Sequence, residues 1–259
     1  MLNQELPWRS AWLTGAGSGI GESLALLLSE NGVDVFISGR TLSTLDNVKH
    51  KAEQLGYPGK IIPLEMDTTQ PDQIERTLQQ FDNAFPELVV LNAGTHDPFP
   101  VEEFSASRAK ALLDVNLQGT LNCLEPVIER ALSSNSGQIA VMASVAGYRG
   151  LPTAAVYGAS KAALIHLCEA LQLDLKGTQV KLQVINPGFV RTPLTDKNDF
   201  EMPFLLEPED AAQRILDGLI KDQFEITFPK RFSYILKFLS IIPYRWYFAL
   251  VSKALLKNR

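Results

Sequence analysis

A chain of 259 residues, 46% apolar and 20% charged, holds enough material for one large α/β core. A net charge of −5 argues against nucleic acid as a partner, because a phosphate backbone selects clustered positive charge. Two cysteines, Cys123 and Cys168, stand apart without metal-ligand spacing, pointing to free thiols in a reducing compartment and to no metal site.

The opening MLNQELPWRS lacks the apolar core of a signal peptide, so the expected location is cytoplasmic. Short apolar runs then alternate with longer segments of helical period. Strands are predicted at Ala11–Leu13, Asp34–Ser38, Lys60–Pro63, Leu88–Leu91, Gln138–Met142, Lys181–Ile185 and Glu225–Phe228. Helices are predicted at Gly19–Asn31, Leu42–Leu55, Pro71–Phe85, Ala106–Ser133, Val156–Lys176 and Pro208–Leu219. This alternation implies right-handed crossovers and a mostly parallel sheet covered on both faces. Runs such as VDVFIS and QIAVMA are nearly all apolar, as doubly covered strands require. Gly188–Pro208, with three prolines and little period, reads as a long loop of the lid or binding kind.

The first strand runs into TGAGSGIG, Thr14 to Gly21, and then a helix. Gly15, Gly17, Gly19 and Gly21 let the backbone turn tightly and approach a ligand without a Cβ in the way. Ser18, Gly19 and Ile20 sit where a helix start presents its unpaired N–H groups, a cradle for a pyrophosphate. The second strand ends in Ser38–Gly39–Arg40. A carboxylate at that position would hold the ribose 2′-hydroxyl of NAD, whereas an arginine pairs with the 2′-phosphate of NADP. The expected cofactor is therefore NADP in preference to NAD, a solvated surface arginine being the plainer alternative.

Asn116 falls mid-helix, where asparagine is mildly unfavourable, and suggests a helix-distorting or water-binding group linked to Lys161. Ser144 ends the fifth predicted strand, where open α/β sheets place ligands, and its hydroxyl can donate to a substrate carbonyl or simply make a turn. In VYGASKAAL, Tyr157 and Lys161 stand at i and i+4 on one helical face among small neighbours. A free phenol has a pKa near ~10. A nearby ammonium is expected to draw it down, so that the phenol exchanges a proton near neutral pH. His96, His50 and His166 form no metal or triad set. Leu164, Leu167, Leu171 and Leu175 make a stripe fit for a subunit interface or for the chain's own core.

From Lys230 to Arg259 seven Lys and Arg accompany no Asp or Glu, so a net −5 with +7 in this tail leaves −12 for residues 1–229. Phe232–Ile242 is apolar but too short to span a bilayer, and Pro243 interrupts it. Arg245–Lys257 resumes with Trp246, Phe248, Leu250 and Val251. The tail suits a membrane-surface helix pair, or helices folded over the cleft or an oligomer interface.

Taken together, TGAGSGIG at 14–21, Asn-Ala-Gly at 92–94, Asn116, Ser144, YGASK at 157–161 and NPGFVRT at 186–192 resemble the short-chain dehydrogenase/reductase family, in its single-domain branch. The resemblance spans roughly residues 10–230 and implies a doubly wound Rossmann fold, with residues 1–229 catalytic and 230–259 a helical extension. It implies a tetrad of Asn116, Ser144, Tyr157 and Lys161: tyrosine as acid–base, serine on the carbonyl, lysine also on the nicotinamide ribose, asparagine keeping a relay water. It places Asp67 at adenine and Asn92, Ala93 and Gly94 along the adenosine side. Pro187, Gly188, Val190 and Thr192 would flank the nicotinamide, with Thr192 near its carboxamide. Residues 94–104, 145–155 and 189–207 would line the substrate pocket. Leu91 stands where the family often has asparagine, which touches strand packing rather than the tetrad. The implied activity is hydride transfer between NADP and a carbonyl or secondary alcohol, the apolar tail hinting at a lipophilic one, in a homodimer or homotetramer. The alternatives are a catalytically silent sensor or scaffold on the same fold, and an epimerase or dehydratase, which the TGxxxGxG spacing disfavours.

Overall fold

Strands covered by helices on both sides are buried along their whole length and nearly all apolar, as LVVL and QIAVM are. The computed structural model describes residues 6–81, 85–200 and 202–255. Its strands are β1 (Ser10–Thr14), β2 (Asp34–Gly39), β3 (Ile61–Glu65), β4 (Leu88–Leu91), β5 (Gln138–Met142), β6 (Lys181–Pro187) and β7 (Glu225–Phe228). All pair in parallel, in the order β3-β2-β1-β4-β5-β6-β7. Helices α1 (Gly19–Glu30), α2 (Leu42–Gln54), α3 (Pro71–Gln79), α4 (Ala106–Leu113), α5 (Gly119–Ser134), α6 (Ala155–Asp174) and α7 (Pro208–Leu219) cover the two faces, followed by α8 (Lys230–Ile241) and α9 (Tyr244–Leu255).

The period-2 alternation of β1 divides the core. Ala11 and Leu13 pack with Leu24, Leu45 and Leu216 on one face, while Trp12 packs with Leu78, Leu124 and Leu164 on the other. The leucine stripe of α6 belongs to that second core: Leu164 and Leu175 are buried in it, and Leu167 and Leu171 pack against it. The chain leaves β1 toward β2 and β3, then returns to place β4 on the opposite side of β1. That reversal opens a crevice at the carboxyl ends of the strands.

Two predicted helices differ. Pro71–Phe85 ends at Gln79, and residues 82–84 lie outside those described. Ala106–Ser133 is divided into α4 and α5 by a π-helical turn, Asp114–Gln118, that carries Asn116. The inserted residue turns the asparagine off the ordinary helical register, the device by which such bulges re-aim a side chain. The predicted tail segment Arg245–Lys257 is described only to Leu255.

Candidate active site

The glycine turn leaves no room for side chains. Gly15 and Gly19 adopt φ of +66° and +58°. A Cβ on Gly15 would stand 2.6 Å from Ala93 Cα, and one on Gly17 2.5 Å from Thr44 Oγ1. One on Gly21 would stand 2.6 Å from Gly15 O. Ser18 precedes α1 without capping it, so the first N–H groups of a 12-residue helix are left to the cleft that Gly19, Ile20 and Gly21 line. This bare, positively polarised cradle fits a pyrophosphate. Asn92 braces it: its Nδ2 donates to Thr14 O and Gly15 O, each at 3.0 Å. Thr192 packs over the same turn, its Cγ2 2.9 Å from where a Gly19 Cβ would sit.

Arg40 is exposed at the end of β2, on the rim of the cleft, and makes no ion pair among the described residues. Asp67 lines the cleft beyond β3, one oxygen already accepting from the backbone and hydroxyl of Thr69 at 2.9 Å.

Ser144, Tyr157 and Lys161 meet at the middle of the cleft. Ser144 lies two residues beyond β5 rather than at its end, before the short 3-10 turn Val145–Gly147; it accepts from Ala146 N at 3.1 Å and donates to Pro187 O at 3.4 Å. Lys161 is 3% exposed, and its Nζ donates to Met142 O at 2.8 Å, 5.8 Å from the centre of the Tyr157 ring. Burial pushes the ammonium down to about 8, so it remains a cation at neutral pH. The phenol moves opposite to the expected direction: burial raises it above 10, and the Ser144 hydroxyl works against that rise. Desolvation of a group that ionises to an anion outweighs the pull expected from the lysine. Tyr157 is therefore held protonated, ready to give a proton.

Asn116 is fully buried and lies behind the cleft wall, apart from the other predicted tetrad and cofactor residues, which all line it; of the predicted pocket segments, 94–96, 145–146, 151–154 and most of 189–200 line it and 97–104 do not. Its Oδ1 accepts from Thr95 N at 2.7 Å, and its Nδ2 donates to Thr95 O at 2.9 Å and Ser160 Oγ at 3.2 Å. A Cβ on Gly94 would stand 3.4 Å from Asn116 Oδ1 and 3.6 Å from Lys161 Nζ, so turn, amide and ammonium crowd one point. Pro187, Gly188 and Val190 also line the cleft.

The cleft, about 1290 Å³, exceeds the ~300–1,000 Å³ usual for one small ligand. Its outer part is apolar, walled by Phe189 and Phe200 from the long loop and by Phe232, Leu236, Leu239 and Val251 from the tail helices. Arg149 donates to Ser240 O at 2.8 Å and lies 4.4 and 4.6 Å from the rings of Tyr244 and Tyr247. Glu225 on β7 accepts from Tyr148 at 2.6 Å, Asn186 at 2.8 Å and Lys237 of α8. Burial alone would raise that carboxyl, but these donors hold it below its usual 4.5.

His96 falls within the predicted pocket segment 94–104 and lines this cleft; its ring contact with Tyr157, at 4.6 Å, is what no sequence signal records. Met142 is new to the site, through the carbonyl that holds Lys161.

The profile described as short chain dehydrogenase matches residues 9–202. A Myxococcus xanthus protein described as an oxidoreductase is 34% identical over 241 residues, 92% of this chain and 94% of its own length. A short-chain dehydrogenase from Sphingobium yanoikuyae in complex with NADPH superposes with a TM-score of 0.78 at 22% identity, covering 91% of this chain and 96% of its own. A 3-oxoacyl-[acyl-carrier protein] reductase from Brucella melitensis with bound NAD gives 0.75 at 24% identity, covering 85% and 89%.

Proposed function

The chain belongs to the short chain dehydrogenase family and is an oxidoreductase; from that premise we propose that it uses NADP to exchange a hydride with a lipophilic carbonyl or secondary alcohol, in the reducing direction. The observation that carries this reading is the convergence of Ser144, Tyr157 and Lys161 on a cleft whose other end is the glycine cradle. A nicotinamide bound there supplies the hydride. Tyr157, held protonated, donates to the carbonyl oxygen, and Ser144 steadies that oxygen. Lys161, fixed by the Met142 carbonyl and still cationic at pH 7, offsets the charge left on the phenolate. Asn116 holds the Thr95 backbone and so the wall facing the lysine.

The NADP preference rests on Arg40, an exposed guanidinium at the end of β2 that makes no ion pair among the described residues. Family likenesses do not choose, since one neighbour holds NADPH and another NAD. The lipophilic preference rests on the aromatic and aliphatic walls given by the long loop and the tail. A screen of n-alkanals, ketones and alcohols by chain length, following nicotinamide absorbance with both cofactors, tests the reading. Reduction with NADPH that improves with chain length is expected. Binding of NADPH without turnover of any compound would instead favour the silent sensor.

Within this reading, residues 1–229 are the catalytic body and 230–259 an extension that meets membrane surfaces. No helix among the described residues is long and apolar enough to cross a bilayer. Eight large apolar side chains of α8 and α9 are nonetheless exposed, Ile241 at 78% and Trp246 at 68% among them, with only basic charges interspersed. Vesicle flotation of the full chain should recover it with anionic lipid and leave it behind with phosphatidylcholine alone. Pairing of subunits into a dimer or tetramer is the remaining part of the proposal, checked by light scattering.

A further inference from the structure

His96 is 9% exposed, follows the Asn-Ala-Gly turn, and has no part in the proton transfer described above. Its ring meets the Tyr157 ring at 4.6 Å and 64°, an edge-to-face contact of the kind aromatic quadrupoles favour. Its Nε2 lies 3.1 Å from Asn198 Oδ1, while Asn198 Nδ2 donates to Met202 Sδ at 3.4 Å. With the amide in that orientation, the imidazole carries its proton on Nε2 and donates to Asn198. Nδ1 is then a lone-pair acceptor, buried with no partner among the described residues. An apolar ring would fill this space without leaving such an atom, so packing alone does not account for a histidine here. Burial also keeps the imidazole below 6.5, hence neutral at pH 7.

The backbone of His96 is held as firmly as its ring. Lys197 Nζ donates to its carbonyl at 2.7 Å. On one side Asn116 takes both backbone groups of Thr95. On the other, Asp97 receives two bonds from Arg108, at 2.9 and 2.7 Å. Among the described residues, the hydrogen bonds of Lys197 and Asn198 that leave their own loop region end on His96. The segment 189–200 carries Phe189, Thr192 and Phe200 of the cleft wall. One side chain thus joins that wall to the ring of the tyrosine.

Building on the proposed oxidoreductase reading, we infer that His96 is a positioning residue: its Nε2–H latches residues 189–200 through Asn198, and its ring sets the Tyr157 phenol. Closure of the loop over a substrate and placement of the proton donor are then one event. The two contacts separate by substitution. His96→Phe keeps a ring against Tyr157 and loses the donor; His96→Gln keeps a donor near the Nε2 position and loses the ring.

Hydrogen–deuterium exchange of the full chain with NADPH at pH 7 reads the latch without any substrate. His96→Phe should speed exchange in peptides covering 189–200 by roughly tenfold, the effect of one buried hydrogen bond. His96→Gln should leave those peptides near wild type. With NADPH and an n-alkanal, His96→Phe should raise KM at nearly constant kcat, and His96→Gln should lower kcat at nearly constant KM. Unchanged exchange at 189–200 in His96→Phe overturns the inference, as does faster exchange spread over the whole chain in both variants. Absence of alkanal turnover in wild type would count against the oxidoreductase reading, while the exchange result still judges the latch.

Discussion

The two ends of the cleft are built differently. At the sheet end, Ser144, Lys161 and the glycine turn are anchored to β1, β4, β5 and β6 and braced by hydrogen bonds of 2.8 to 3.1 Å. At the far end, α9 is held through Tyr247 and Val251, while Tyr244, Trp246, Phe248 and Leu250 are each at least half exposed. In the proposed reading, the proton transfer would sit on the part anchored to the sheet, and recognition of apolar surface on the exposed helices. Changes at the first end should therefore alter rate or cofactor choice, and changes at the second should alter stability and partitioning.

The largest effect is expected at Tyr157. Removing the proton donor with Tyr157→Phe should lower kcat for carbonyl reduction by roughly 10²–10⁴, the range for loss of a general acid. NADPH affinity, measured by fluorescence quenching, should hardly move. Reductase activity undiminished by this change would reassign the proton transfer. Next comes Arg40→Asp, which replaces a guanidinium by a carboxylate at the end of β2. Loss of charge-assisted bonds worth ~1.5–3 kcal/mol should lower kcat/KM for NADPH about ten- to hundredfold while that for NADH holds or rises. An unchanged ratio would make Arg40 a solvated surface residue.

The pH profile sharpens the anchored end further. Lys161 is depressed to about 8, so its charge is present below that pH and lost above it, while Tyr157, raised, stays protonated. kcat/KM for reduction should be level near pH 7 and fall about tenfold per unit above 8, with one ionisation. Lys161→Arg cannot lose its charge in this range and should flatten the fall, at a lower absolute rate. A level profile from pH 6.5 to 9.5 in wild type would exclude the ammonium from the chemistry.

The contrast also separates what could be read from residues alone. TGAGSGIG and YGASK are local: the spacing itself fixes a turn, a helix start and a shared face, and alternation gave a parallel sheet covered on both faces, whereas the doubly wound arrangement was what the family resemblance implied. The contacts of His96 escaped because they depend on Asn198, 102 residues along the chain, and on a ring contact that no spacing records. The direction of the Tyr157 shift escaped for a related reason. The i, i+4 pair specifies that lysine and tyrosine are near, but not how much water each loses, and desolvation decides the sign. The π turn was partly legible, since an asparagine mid-helix suggests a distorting group, but its form over DVNLQ is an answer to tertiary demand.

The smallest effect concerns the seam between the two ends. Glu225 on β7 anchors α8 through Lys237 and also accepts from Tyr148 and Asn186. Its carboxyl is depressed below 4.5, so its contribution to stability is present above that value and fades as pH falls through the folded-state pKa. Because Lys237 is partly exposed, the pair is worth on the order of 1 kcal/mol, a shift of about 2–4 °C in Tm for a domain of this size. Thermal melts of wild type and Glu225→Gln should differ by that amount at pH 7 and converge as the pH drops below 4.5. A difference that persists undiminished once the pH has fallen through the folded-state pKa would mean the glutamate acts by packing rather than by charge. Because the carboxylate ties α8 to the sheet rather than to the reacting atoms, kcat at neutral pH should be nearly unchanged, whereas KM for the longest alkanals should rise as the apolar wall loosens.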